Sequence, residues 1–326
     1  MLRDQVRLSA LAARSAARAL ARRAVTRKRT RPTWTPKVEA VSAALRAVAA
    51  EAHGRPAPEV RAIWEMMARD APLASRTRQE PARVDGLVGR WFYPDAQPAA
   101  DDPVILYLHG GAYQFGSIRT HRELIAQIAQ AAGRATLAID YRLAPEHPWP
   151  AALEDATRAV RWLRARGVAR LCVAGDSAGG NLALVTTLGL RDAGEALPER
   201  LALLCPWVDM LRERDSIVRN RDADWLAEDA NLRWSTAYRA GADARDPRVS
   251  PIYADFTGMP PMLAQVGTAE VLYDEVVELA SRARAAGVDV TLSTYEDMVH
   301  DWQTFTSVGV PEARRAIDEI GAYLRA

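Results

Sequence analysis

A serine set among glycines is the strongest chemical signal in the sequence, in the segment VAGDSAGGNLA at residues 173–183. The spacing Gly175-x-Ser177-x-Gly179 lies between an apolar stretch typical of a strand and one typical of a helix, which is the context of a nucleophile elbow. So tight a turn tolerates only small neighbours and points the hydroxyl outward. A cap in a phosphate-binding turn is the alternative, but the spacing is not G-x-G-x-x-G and no lysine follows. We predict that Ser177 is a nucleophile.

A second signal is His109-Gly110-Gly111, which ends the apolar run DPVILYLHGG. Unhindered backbone amides at such a turn can bind the negative charge of a tetrahedral intermediate. We predict an oxyanion hole made by the amides of Gly110, Gly111 and Ala178, the last at the start of the helix after the elbow. His109 itself is predicted to be structural.

A serine nucleophile needs a general base, and chain order selects one histidine. In the elbow architecture the order is serine, acid, histidine, and only His300 follows Ser177. The other four histidines all precede Ser177: His53, His109, His121 and His147.

The acid should follow the predicted strand PMLAQVG, where Glu270, Asp274 and Glu275 are candidates. Glu270 is preferred because it lies three residues past Gly267, at the carboxyl end of the strand. Asp274 and Glu275 fit the first turn of the next helix, where the helix dipole favours acids. Asp297 is a further candidate, although a local turn also explains it.

The elements that would position these residues follow a regular alternation. An antiparallel strand pair begins near Val84, a doubly buried strand precedes His109, and units of helix and strand then repeat to the end of the chain. This pattern predicts an α/β fold with a mostly parallel eight-stranded sheet flanked by helices.

Two regions outside the alternation predict a helical cap. Residues 38–67 have the spacing of two short helices, and a polar, Trp-containing stretch runs from Asp209 to about Pro247. We therefore divide the chain into a basic N-terminal helix or tail (1–31), the N-terminal part of the cap (32–80), and a catalytic domain (81–326) with a cap insertion at about 209–247.

Residues 1–31 carry ten Arg or Lys against one acid, so the rest of this chain of net charge +2 has a charge of −7. A stripe of Leu2, Val6, Ala10, Ala13, Ala17 and Leu20 predicts an amphipathic helix. Arginines interrupt every apolar run, which excludes a secretory signal. The segment is either a solvated helix with a frayed tail or a weak contact to an anionic membrane surface. Because no proposed catalytic group lies in it, its deletion is expected to spare hydrolysis.

Composition bounds the rest. The chain of 326 residues is 49% hydrophobic and 26% charged, as in a globular protein, and it lacks an apolar run of about 20 residues. Cys172 and Cys205 lie in apolar runs, which excludes a disulfide scaffold and indicates a cytoplasmic location. No metal, cofactor or nucleic-acid partner is predicted, and a homodimer is compatible with the sequence.

Together these motifs resemble the hormone-sensitive-lipase-like branch of the α/β-hydrolase fold, a group of microbial esterases and their relatives. The family's H-G-G-G motif corresponds to residues 109–112, its G-D-S-A-G-G elbow to 175–180, its D-Y-R-L-A-P-E-H-P motif to 140–148 and its M-x-H motif to 298–300. The chain departs from the family at Ala112, where a third glycine is usual, and at Glu270, which replaces the first aspartate of D-P-L-x-D.

The resemblance implies a serine esterase or lipase that acts through an acyl-enzyme. We expect small esters of short to medium acyl chain, with Tyr113, Trp207, Trp225 and Trp302 as candidate pocket residues that could equally be core. A lactone, carbamate or amide hydrolase is the alternative within the fold. A non-catalytic relative that binds small hormones is the alternative outside enzymes, and the intact Ser177, Glu270 and His300 argue against it.

Overall fold

One eight-stranded sheet forms the centre of the protein in a computed structural model that describes residues 2–68, 72–99, 101–211, 213–226 and 228–326. Its strand order is β1-β2-β4-β3-β5-β6-β7-β8, antiparallel at β1, β2 and β4 and parallel from β4 onward. The strands are β1 (Arg78–Val84), β2 (Leu87–Tyr93), β3 (Val104–Leu108), β4 (Thr136–Asp140), β5 (Leu171–Asp176), β6 (Arg200–Leu204), β7 (Met262–Gly267) and β8 (Val290–Tyr295). The predicted fold class is confirmed.

Helices cover the sheet and build the cap. They are α1 (Leu2–Thr26), α2 (Pro36–Ala52), α3 (Ala57–Met67), α4 (Ile118–Ala132), α5 (Ala151–Ala165), α6 (Ala178–Asp192), α7 (Asp215–Asn220), α8 (Glu228–Arg239), α9 (Tyr273–Ala285) and α10 (Pro311–Arg325). The two helices predicted within residues 38–67 are α2 and α3, and α7 and α8 lie in the predicted insertion. A 3-10 helix (Trp302–Val308) precedes α10.

The central strands are apolar on both faces because helices pack on both sides of the sheet. Every residue of β5 and β7 is buried, as are four of the five residues of β3 and of β6. Since these strands are parallel, the loops at their carboxyl ends share one edge of the sheet. Three segments that follow β5, β7 and β8 therefore meet there.

Helix α1 is docked on the cap through residues that do not belong to the predicted apolar stripe. Leu8 and Ala12 are buried, whereas Val6 and Leu20 of the predicted stripe are exposed. Arg23, on the same side of α1 about three turns beyond Ala12, contacts Glu39 of α2 at 2.6 Å. An alanine-rich helix offers several weakly apolar faces, and contact with α2 selects the one that is buried, whereas the predicted stripe stays a candidate for contact with a membrane surface.

No helix in the described ranges is long and apolar enough to cross a membrane.

Candidate active site

Ser177 occupies the sharp turn between β5 and α6 with φ 52° and ψ −118°. This left-handed φ is strained for a residue with a side chain, and the tightness of the turn explains its glycines. A Cβ on Gly175 would lie 2.4 Å from the carbonyl oxygen of Gly179, and one on Gly179 would lie 2.0 Å from the carbonyl oxygen of Leu108. Only glycine fits both positions.

His300 joins Ser177 to Glu270 through its two ring nitrogens. Its Nε2 lies 2.9 Å from Ser177 Oγ and its Nδ1 lies 3.0 Å from Glu270 Oε2. The three side chains are buried and come from the segments after β5, β7 and β8. The neutral histidine can carry its proton on Nδ1 toward the carboxylate and accept the serine proton at Nε2.

The other candidate acids are committed elsewhere. Asp274 accepts the amide hydrogen of Ser216 in α7, and Glu275 accepts that of Val208. Asp297 accepts both the amide and the hydroxyl of Thr33 in the cap. Among the four carboxylates weighed from the sequence, Glu270 is therefore the one that contacts the histidine.

Glu270 is held on its second oxygen by two donors. The amide of Gly267 donates to Oε1 at 2.6 Å, and the Cys205 thiol donates to it at 3.0 Å. Burial and the neighbouring Glu270 raise the pKa of Cys205 well above its usual value, which keeps the thiol a donor. The carboxylate thus has little freedom to turn away from the histidine.

Asp224 of the cap insertion also anchors the histidine loop. Its carboxylate accepts the amide hydrogens of His300 at 3.1 Å and Val271 at 2.9 Å, and burial raises its pKa to about 6. Trp225 donates its indole hydrogen to the carbonyl oxygen of His300 at 2.7 Å. Sequence reasoning missed Asp224, since an acid in a polar insertion carries no distinguishing pattern.

The oxyanion prediction needs one correction. The amide of Gly110 lies 3.0 Å from both carboxylate oxygens of Asp176, so its hydrogen is already paired. Over the described ranges, the amides of Gly111, Ala112 and Ala178 donate to no protein acceptor. These three amides are therefore available to bind an oxyanion, whereas the amide of Gly110 donates to Asp176.

A cavity of about 430 Å³ opens beside Ser177 and His300. Trp207 and Trp225 line it, whereas Tyr113 and Trp302 do not: Tyr113 stacks on Tyr238 in the core, and Trp302 packs on Tyr295. For Tyr113 and Trp302 the structure favours the core alternative, which aromatic residue type alone could not distinguish from a place in the cavity wall.

Two further tryptophans line the cavity and were missed, Trp64 of α3 and Trp234 of α8. Trp64 stacks on Phe115 with ring centroids 5.4 Å apart, and Phe115 also packs edge-on against Trp234. Both tryptophans belong to the segments predicted to form the cap, but the sequence did not show that their side chains face the cavity. The cavity wall is consequently built from both halves of the cap.

Three groups that could ligate a metal, on Cys205, His300 and Asp301, lie within 4.8 Å of one another. Their chemistry fits a metal poorly. Cys205 is held as a neutral thiol whereas a metal needs the thiolate, and His300 is shared between Ser177 and Glu270. We assign no metal or cofactor to this site.

With this geometry established, comparison with known proteins gives consistent results. A family model of the alpha/beta hydrolase fold matches residues 105–304. An acetyl-hydrolase of Streptomyces hygroscopicus is 43% identical over 245 residues, which cover 74% of this chain and 81% of the relative. An esterase of Acinetobacter venetianus is 32% identical over 268 residues, which cover 81% and 87% of the two chains.

Solved structures agree over a larger share of the chain. An esterase from the bacterial hormone-sensitive lipase family has a TM-score of 0.83 at 39% identity, covering 90% of this chain and 98% of its own. The esterase EstE5, soaked with p-nitrophenyl butyrate, has a TM-score of 0.83 at 37% identity with the same coverage.

Proposed function

Since this chain belongs to the α/β-hydrolase family, among the bacterial esterases of the hormone-sensitive-lipase type, and is a carboxylic ester hydrolase, we propose that Ser177, His300 and Glu270 are its catalytic triad. We further propose an acyl-enzyme mechanism on small esters of short to medium acyl chain. The observation that carries the proposal is the continuous contact from Glu270 through His300 to Ser177.

In this mechanism Ser177 Oγ attacks the ester carbonyl carbon while His300 Nε2 takes the hydroxyl proton. The carbonyl oxygen becomes an oxyanion and accepts hydrogen bonds from the amides of Gly111, Ala112 and Ala178. When the bond to the leaving oxygen breaks, His300 returns the proton to that oxygen and the alcohol departs. Water then loses a proton to His300 and attacks the acyl-enzyme, and Ser177 recovers its proton as the acid leaves.

The cavity supports the substrate class. Its volume falls in the range of about 300–1,000 Å³ found for small-molecule sites. Its lining includes Leu45, Trp64 and Leu226, whose apolar side chains suit an alkyl chain. Arg119 and Thr304 also line the cavity and suit a polar part of the substrate.

The test is Ser177→Ala with a series of p-nitrophenyl esters from acetate to dodecanoate, a lactone, a carbamate and a p-nitroanilide. We expect ester turnover to peak at short to medium chains and to fall by about three orders of magnitude or more in the variant. Unchanged thermal melting shows that the fold is retained. Retained activity in Ser177→Ala refutes the nucleophile, faster turnover of a lactone, carbamate or anilide favours the alternative hydrolase, and tight binding of a ligand without turnover favours a binding protein.

The role of the basic segment is also part of the proposal. Ala12 lines the cavity and Leu8 is buried, which supports assigning α1 to the cap and argues against the expectation that its deletion spares hydrolysis. Contact of residues 1–31 with an anionic membrane surface stays a prediction, testable by vesicle sedimentation at low and high salt. A homodimer also stays a prediction.

The free, buried Cys172 and Cys205 support the proposed cytoplasmic location.

A further inference from the structure

A second carboxylate approaches the histidine from the serine side. Asp301 Oδ2 lies 3.3 Å from His300 Nε2, the same nitrogen that contacts Ser177 Oγ. The backbone of Asp301 has φ 54°, a left-handed conformation that costs energy for a residue other than glycine. Its Oδ1 is buried, with no hydrogen-bond partner in the described part of the chain. The side chain is therefore held beside the histidine at some cost.

The imidazole thus lies between two carboxylates, Glu270 on Nδ1 and Asp301 on Nε2. Other charged or titratable groups face this pair from the neighbouring elements: Asp224 of the cap, Asp176 at the end of β5, His121 of α4, Tyr107 of β3 and Cys205 after β6. Asp176 Oδ2 and His121 Nε2 lie 3.2 Å apart, so these two groups are paired with each other. The contact made by Asp301 is the direct one on the reacting nitrogen.

We propose that Asp301 is a positioning residue for ester hydrolysis: it binds the protonated His300 at Nε2 in competition with Ser177 and so sets the pH range in which the enzyme is active. This inference rests on the proposed role of His300 as the base. It assigns to the residue after the histidine a function that the triad does not require.

Hydrogen-bond chemistry gives the reason. Neutral His300 with its proton on Nδ1 offers Nε2 as a hydrogen-bond acceptor. The Ser177 hydroxyl can donate to it, whereas an ionised Asp301 has no hydrogen to donate. Protonated His300 presents an N–H at Nε2, and the Asp301 carboxylate then accepts it in a charge-assisted bond. Asp301 therefore stabilises the form of the histidine that cannot act as a base. The same charge stabilises the imidazolium that forms when the serine proton is transferred.

The proton affinities agree with this geometry. Burial alone would lower the pKa of His300, but the charges of Asp301, Glu270 and Asp224 raise it to about 10. Burial also raises the pKa of Asp301, to about 7. A base whose pKa is raised is lost as the pH falls through that raised value, so the acid limb of kcat/KM lies on the alkaline side of an ordinary histidine.

The experiment compares Asp301→Asn with wild-type protein in pH profiles of kcat and kcat/KM on p-nitrophenyl butyrate. Removal of a charge in contact with the base should move the acid limb of kcat/KM down by about one pH unit or more. The gain in kcat/KM should reach about tenfold at a pH that lies below both limbs but above about 7, where Asp301 of the wild type is ionised. The alkaline plateau of kcat should fall, because the weaker base and the unpaired imidazolium both disfavour proton transfer.

Two controls separate this role from a merely structural one. Asp301→Glu keeps the charge and should keep the acid limb near the wild-type position. Glu296→Gln removes an exposed charge from the same loop, where solvent screens it, and should leave the profile unchanged. Titration of 15N-labelled histidine in Ser177→Ala protein, with and without Asp301→Asn, measures the same shift without turnover.

An acid limb that does not move in Asp301→Asn, or one that moves equally in Glu296→Gln, overturns the inference. If Ser177→Ala is inactive while Asp301→Asn leaves the limb in place, only the role of Asp301 fails. If Ser177→Ala retains activity, the proposed mechanism itself fails.

Discussion

Leu8→Ala tests whether α1 is a structural part of the cap, as its buried face indicates. Leu8 is only 3% exposed and belongs to the continuous apolar core, whereas Val6, two residues earlier on the same helix, is 62% exposed. Val6→Ala is therefore a matched control that shortens an apolar side chain on the opposite face. A solvated helix with a frayed tail would respond equally little to both changes.

The magnitude follows from the burial. Leu→Ala at a buried position costs about 2–5 kcal/mol of unfolding free energy, and we expect about 2–3 kcal/mol because a helix at the protein surface can relax around the cavity. Val6→Ala should stay within about 0.5 kcal/mol. The Arg23–Glu39 pair and the Arg7–Glu51 pair, both between α1 and α2, would remain and limit the loss to packing.

The assay is equilibrium unfolding in urea, combined with KM measurements on p-nitrophenyl acetate and hexanoate. Since Ala12 lines the cavity one helical turn beyond Leu8, looser docking of α1 should raise KM for the hexanoate more than for the acetate. Equal, near-zero changes in unfolding free energy for both variants, with KM unaltered, would refute the docked helix and restore the basic segment as a dispensable tail.

Two further predictions concern the catalytic edge of the sheet. Glu270→Gln should lower kcat by about 10³-fold or more, because a neutral amide cannot stabilise the imidazolium of His300. Asp274→Asn should change kcat much less, because Asp274 contacts Ser216. The reverse ranking would assign the acid to Asp274. Gly110→Ala would place a Cβ 2.1 Å from Asp176 Oδ2 and should lower kcat by about 10²-fold, because the loop that carries the proposed oxyanion amides would be displaced. The control is Gly189→Ala, whose added Cβ would have nothing within 4 Å and should leave kcat unchanged. Equal kinetics in the two alanine variants would contradict the packing argument.

Chain order and strand periodicity were sufficient to predict the sheet and the residues that form the Glu270–His300–Ser177 contact. The elbow is a local signal, since it needs glycines at fixed spacing, whereas chain order follows from the whole fold, in which parallel strands bring their carboxyl ends to one edge. The preference for Glu270 over Asp274 also followed from distance to a strand end.

The features that the sequence did not reveal depend on long-range contacts. Gly110 resembles Gly111 in sequence, but its amide is taken by Asp176, 66 residues away. The buried face of α1 depends on α2, and the direction of Trp302 depends on Tyr295. Asp301 gave no pattern at all, because its importance comes only from the nitrogen that its carboxylate reaches.

The cap contacts the acid and base loops from two sides, so it does more than cover the pocket. From the insertion, Asn220 donates to the carbonyl oxygens of Thr268 and Glu270, while Asp224 accepts the amide hydrogen of His300. From the N-terminal side, Trp34 donates its indole hydrogen to the carbonyl oxygen of Asp297 at 2.6 Å.

These contacts end on the same two loops that carry the proposed acid, Glu270, and the proposed base, His300. Because a hydrogen bond to a buried carbonyl is costly to leave unmade, a displaced cap would release the loops as well as open the cavity. Cap substitutions that break these bonds should therefore reduce kcat and not only raise KM, whereas substitutions confined to the cavity wall should act mainly on KM. The position of the cap and the geometry of the proposed triad are therefore coupled in this protein, because the loops at the sheet edge depend on contacts that the cap supplies.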